Sequence, residues 1–204
     1  MKRYVDETMS IALAKIRRLS WPAFAVIALA ACDASTIISK IDVSHNYQPI
    51  SLGRFYGGDN ALRIVGYGSP FGDPPARVAD AVVAGMQGHN GGPRVTFSTA
   101  AAPPPRPRWR VVMALNPTDV RDSNALCKLT DTPTTVRSQG GRLRILVAFC
   151  QGDYAASQAT GRGKDITSMD SPNFDKLLAG LTRELFPSRN PHDDRRRCRI
   201  WPCL

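Results

Sequence analysis

The sequence predicts an α/β domain of the α+β kind, a two-layer sandwich. A mainly antiparallel or mixed sheet of four to five strands should carry two helices on one face. Three observations lead there. Arg108-Trp-Arg-Val-Val-Met-Ala-Leu115 and Arg142-Leu-Arg-Ile-Leu-Val-Ala-Phe-Cys150 begin with arginine alternating with apolar residues, the period of a strand. Two other stretches, opening at Asp73-Pro74-Pro75 and Ser171-Pro172, repeat apolar residues at helical spacing. These elements follow one another as strand, helix, strands, helix, so both helices can share one core face.

Taken in order, Leu62-Arg-Ile-Val-Gly-Tyr67 reads as the first strand, and Gly66, Gly68, Pro70 and Gly72 break it. Asp73 is placed to cap the first helix, with proline following where no N–H is needed. Pro75, Val78, Ala79, Val82 and Met86 form its apolar stripe, and Gly85 and Gly88 mark its end. Arg94-Val-Thr-Phe-Ser98 alternates as a short strand, and Ala100 to Pro107 is a proline-rich, extended connection. The strand from Arg108 stops at Asn116-Pro117, and Ala125 to Leu129 reads as a further short strand. After the strand 142–150, residues 151–170 read as a long polar loop. The second helix then lines up Phe174, Leu177, Leu178, Leu181 and Leu185 and closes at Pro187. These readings divide the chain into a leader over 1–31, a tether over 32–60, an α/β domain over 61–188 and a basic, disordered tail over 189–204.

The leader carries the most specific motif. Lys15, Arg17 and Arg18 precede the apolar run Trp21 to Ala31, which ends at Leu29-Ala30-Ala31-Cys32. About 20 apolar residues are needed to span a hydrocarbon core, so this run is short for a span. A basic flank, a short apolar region and small residues mark a secretory signal. Ending on cysteine, the segment resembles the lipobox of bacterial lipoproteins. That resemblance implies cleavage before Cys32, diacylglyceryl and further acyl groups (palmitate among them) on the new terminus, and a membrane-anchored periplasmic protein of the cell envelope. Asp33 resembles an inner-membrane retention signal. Asp6 and Glu7 suit such a leader poorly, and a start at Met9 would give a cleaner one.

The formal net charge is +10. Removing residues before Cys32 leaves 22 basic and 15 acidic residues, an excess that favours anionic partners without choosing among them. In an oxidising compartment Cys127, Cys150, Cys198 and Cys203 would tend to pair. Cys127–Cys150 and Cys198–Cys203 are the expected bonds, with free buried thiols the alternative for the first pair. No spacing suits zinc. Gly66-Tyr-Gly-Ser-Pro-Phe-Gly72 has the wrong glycine spacing for a dinucleotide loop, and Gly161-Arg-Gly-Lys164 is not a phosphate loop. His45, His89 and His192 read as loop histidines, and Asp153, Asp165, Asp170 and Asp175 as capping or solvated carboxylates. No catalytic group, metal site or cofactor is expected.

One pattern points to binding. If the apolar strand faces meet the helices, Arg63, Arg94, Arg108, Arg110, Arg142 and Arg144 lie on the opposite, open face, suited to phosphate or carboxylate. The leading expectation is a non-enzymatic envelope lipoprotein, a binding or assembly module held to the membrane through lipid on Cys32. Its partner would be an anionic envelope polymer or an envelope protein, with no nucleic acid. The alternative is a hydrolase of cell-wall or envelope material with its site in the 151–170 loop.

Overall fold

The computed structural model describes residues 35–100 and 106–193. The leader, Cys32, Cys198 and Cys203 lie outside the described residues. The ladder hydrogen bonds join six strands into one mixed sheet: β1 (Thr36–Val43), β2 (Ala61–Tyr67), β3 (Thr96–Ser98), β4 (Trp109–Leu115), β5 (Leu143–Gln151) and β6 (Tyr154–Gly163). Their spatial order is β1-β6-β5-β4-β2-β3. β2 runs parallel to β3 and β4, and the other pairs are antiparallel. The helices are α1 (Pro49–Tyr56), α2 (Pro75–Met86) and α3 (Pro172–Leu185).

Alternation decides which side chains meet the helices. Val111, Met113 and Leu115 of β4 join Leu143, Ile145, Val147 and Phe149 of β5 in one core. Val78, Val82 and Met86 of α2, and Phe174, Leu177, Leu178, Leu181 and Leu185 of α3, close that core from the helix side. The predicted sandwich is therefore present, with six strands instead of four to five and a third helix. Asp73 does not cap α2. Pro74 holds the cap position, and Asp73 instead pairs with Arg77 at 3.3 Å.

Three segments differ from the sequence reading. The stretch read as a tether holds β1 and α1. β1 was hard to read because Lys40 adopts φ 49° in a bulge between Ser39 and Asp42, which breaks the alternation. The stretch read as a strand near 125–129 is a 3-10 helix, Ser123–Lys128, whose start is capped by the Asp122 side chain accepting from the Asn124 N–H at 3.2 Å. The stretch read as a loop over 151–170 contains β6, which pairs on both sides. β6 lacks bulky apolar residues because α3 presses close to it. A Cβ on Gly161 would meet Leu177 Cδ1 at 2.8 Å and Leu181 Cδ1 at 2.9 Å. Backbone pairing, not side-chain propensity, makes this strand.

The second face of the sheet is covered too. Val120, Leu126 and Cys127 pack on Val112, Ala114, Leu146, Ala148, Cys150 and Ala155. The chain between β4 and β5 thus forms a lap over the face opposite the helices. The disulfide Cys127–Cys150, with Cα atoms 5.5 Å apart, fastens it to β5.

The first residues of the expected tail are ordered. Asn190 is buried and donates its amide to Ser44 O, His45 O and Tyr47 O at 2.9, 3.1 and 2.9 Å. Residues 187–193 therefore form a strap across the turn between β1 and α1. Tyr47 donates to Pro187 O at 3.1 Å beneath it, and Tyr56 donates to Arg106 O at 3.1 Å. Burial pushes both phenols above their ordinary 10.0. Their contribution to stability is whole below that value and declines as pH rises from it toward the folded-state pKa values. The urea midpoint should accordingly fall above pH ~10, and Tyr47→Phe should flatten the fall. A midpoint in the wild type that stays constant through that range would contradict this account.

Candidate functional site: arginines at two ends of a covered face

Strand register sets the arginines out in two groups. At one end Arg63 of β2 lies beside Arg110 of β4, and Arg110 lies opposite Cys150 of β5. At the other end Arg144 of β5 lies opposite Arg162 of β6. Cys150 and Arg144 are six positions apart on β5, roughly 20 Å at strand rise. The lap sits between the groups. The expected open face is thus corrected: Val112, Ala114, Leu146 and Ala148 on the same side are apolar, and burying them requires a cover.

Two of the six predicted arginines spend their guanidinium groups on the fold. Arg110 donates from Nη1 to Gly152 O at 3.2 Å and from Nη2 to Cys127 O at 3.0 Å, bracketing the disulfide. Arg144 donates from Nη2 to Arg121 O at 3.1 Å, and its amide donates to Asn116 Oδ1 at 2.7 Å. Its Nε is buried without a partner. Arg63, Arg94, Arg108 and Arg142 are exposed. Arg108 lies over Gly152, where φ is 70° and an added Cβ would come within 2.7 Å of the guanidinium. Arg94 stands two positions before β3, the strand whose Ser98 lies opposite Arg63. Arg162 escapes the sequence pattern because the 151–170 segment reads as a loop, and Arg121 because no local pattern announces the lap. Asp119 and Asp122 lie on the same lap. The Thr134 N–H donates to Asp119 at 2.9 Å and holds its carboxyl below the usual range.

Within the 151–170 segment, residues 154–163 form β6 rather than a loop. Asp153 and Asp165 lie just beyond opposite ends of the ten-residue β6, about 30 Å of strand apart. Asp170 accepts from Arg77 at 2.6 Å, and Asp175 lies in the first turn of α3. His89 is exposed in a loop. His45 and His192 stack with ring centroids 3.7 Å apart, and His192 Nε2 donates to Val43 O at 2.7 Å. Among the described residues no hydrogen bond joins a histidine to a carboxylate, and no cluster of three His, Cys, Asp or Glu residues could hold a metal. The stacked histidines sit between two clefts. One of about 730 Å³ lies between the start of α1 and the strap, lined by Tyr47, Ile50 and Arg189 among others. The other, about 300 Å³, is lined by residues including Asp42, Ser44, Tyr154 and Gln158. Tyr154 donates to Ser44 Oγ, which also accepts from the Asn46 N–H at 3.1 Å. Both of those groups donate to the hydroxyl, and the two clefts present polar linings. The chain matches no family model, no curated protein and no solved structure.

Proposed function

We propose that the chain is an envelope lipoprotein whose domain is a non-enzymatic binding module, held at a membrane by lipid on Cys32. The observation that carries this reading is the run Leu29-Ala30-Ala31-Cys32 behind a basic flank and a short apolar stretch. Two features support it. The Cys127–Cys150 disulfide suits an oxidising compartment. Also, β1 begins at Thr36, so little chain separates the domain from the anchor. Among the described residues no helix is long and apolar enough to cross a membrane. The exposed guanidinium groups Arg63, Arg108, Arg142 and Arg162 suit a partner bearing phosphate or carboxylate.

Cys32→Ser tests the anchor. One acyl chain holds a protein only marginally, whereas two or more hold it stably. The variant should remain an uncut precursor or appear in the soluble envelope fraction. Processing and membrane fractionation identical to the parent would overturn the reading.

A further inference from the structure

The anchor reading places one particular end of the sheet at the membrane. Ser35 O accepts from the Lys164 N–H at 2.8 Å, and Thr36 pairs with Gly163. Three residues of chain reach at most ~11 Å. Wherever Cys32 is held, the start of β1, the end of β6 and the start of β5 therefore lie within that distance of the bilayer surface or little beyond it. The opposite end, with Arg63 and Arg110, is carried away from it.

The chemistry of the near end fits a lipid surface. Register aligns Ile37 of β1, Arg162 of β6 and Arg144 of β5 in one row across the sheet, on the face away from the helices. Ile37 is 54% exposed, although Ile38 beside it packs toward Gly180 of α3. Arg162 and Arg142 are exposed and have no hydrogen bond or ion pair through their side chains among the described residues. Arg121 adjoins Arg144 through its carbonyl. Among the described residues, Asp119 and Asp122 of the lap are engaged with backbone N–H groups, and Asp165 lies just beyond the end of β6. An exposed isoleucine flanked by arginines suits the boundary between headgroups and acyl chains better than a hydrated polymer.

We propose that Ile37, Arg142, Arg144 and Arg162 form a rim that seats the domain on anionic phospholipid headgroups of the membrane holding Cys32. This rests on the lipid-anchor reading for its orientation. The lipid keeps the rim at high local headgroup concentration, which strengthens contacts that the free protein also makes more weakly. Arg144 acts as the ordered member of the rim, and Arg142 and Arg162 as the adaptable ones.

The test uses the chain from residue 32 onward carrying Cys32→Ser, so that no acyl group contributes. Its sedimentation with phosphatidylcholine vesicles is compared with that for vesicles containing one-third phosphatidylglycerol. Binding should require phosphatidylglycerol and weaken with salt. Arg142→Glu with Arg162→Glu should weaken it about tenfold or more, since each basic residue at such a surface contributes roughly fivefold. Arg63→Glu with Arg94→Glu makes the same change in charge at other positions and should alter binding less than about twofold. Ile37→Asn should weaken binding as well. The residues after 193 are common to every variant, so their arginines cancel in the comparison. Should the glutamate pair unfold the domain, Arg142→Gln with Arg162→Gln gives the same ranking with a smaller effect. Equal weakening by the two glutamate pairs, or no binding to phosphatidylglycerol by the parent, overturns the rim. Failure of the anchor reading appears separately, as Cys32→Ser protein that fractionates unchanged in cells.

Discussion

Replacing Cys127 or Cys150 with alanine should cost the domain about 3 kcal/mol. The bond closes a loop with a sequence separation of 23, which sets the entropy it removes from the unfolded chain. Within the folded state it is the covalent hold on the lap. The remaining holds are weaker: Ser123 Oγ donates to Ala159 O at 2.9 Å, Arg110 donates to Cys127 O, and Arg144 donates to Arg121 O. Ordinary hydrogen bonds of this kind each contribute about 1 kcal/mol net. The two single variants and the double variant should therefore show nearly equal losses in urea denaturation, because all three remove the same bond. Hydrogen exchange should accelerate first in residues 117–137. Losses in the double variant that sum the two singles would show that the thiols act independently. Mass mapping of the unreduced protein with both thiols free would remove the bond altogether.

Asn190→Ala should be comparably damaging, at about 2–4 kcal/mol. One buried amide nitrogen serves three carbonyls, and its Oδ1 accepts from the His192 N–H at 2.9 Å. Alanine removes the donor from His45 O and Tyr47 O, leaves Ser44 O only the Tyr47 N–H at 3.0 Å, and opens space beneath the strap. Asn190→Asp should be at least as harmful near neutral pH, because a carboxylate would face three carbonyl oxygens and donate to none. It should recover partly in acid, where protonation restores one donor. Urea midpoints at neutral and acidic pH, taken relative to the wild type at each pH, decide this. An aspartate variant as stable as the parent at both pH values would show that the donors are dispensable.

Much of the sheet was legible because helix-facing alternation is a local property. Trp109, Val111 and Met113 define a face by themselves, as do the five apolar residues of α3. The lap was legible in part and misread. Leu146, Ala148 and Cys150 make the rest of β5 apolar on its second side, and a strand apolar on both sides is a strand buried on both sides. The arginines at the starts of β4 and β5 drew attention to the ends, where the cover stops. β6 was not legible, because Ala159, Gly161 and Gly163 are small to admit α3, a demand set by a helix that follows in sequence. Neither was the strap, since Asn190 acts on backbone carbonyls some 140 residues earlier, and no local pattern announces that. Of the six predicted arginines, Arg110 and Arg144 lie on the expected side but serve the fold. Arg162, which the proposed rim requires, lay hidden within the misread strand.

The pairing of the first strand with the last has a consequence for how the molecule comes into being. β1 touches no strand except β6, and Thr36 meets Gly163 only after almost all of the domain has emerged in amino-to-carboxyl order. The strap that clasps the turn after β1 comes later still. Contacts so distant in sequence demand loop closure before they return any stabilisation, which places folding toward the slow end for a domain of this size. Until then β1 presents Ile37, Ile38 and Ile41 with unpaired backbone, a surface able to join strands of other nascent chains. A chain arrested before β6 would lack the partner of its own amino-terminal strand, so the completeness of the carboxyl-terminal third governs whether the beginning of the domain can become native.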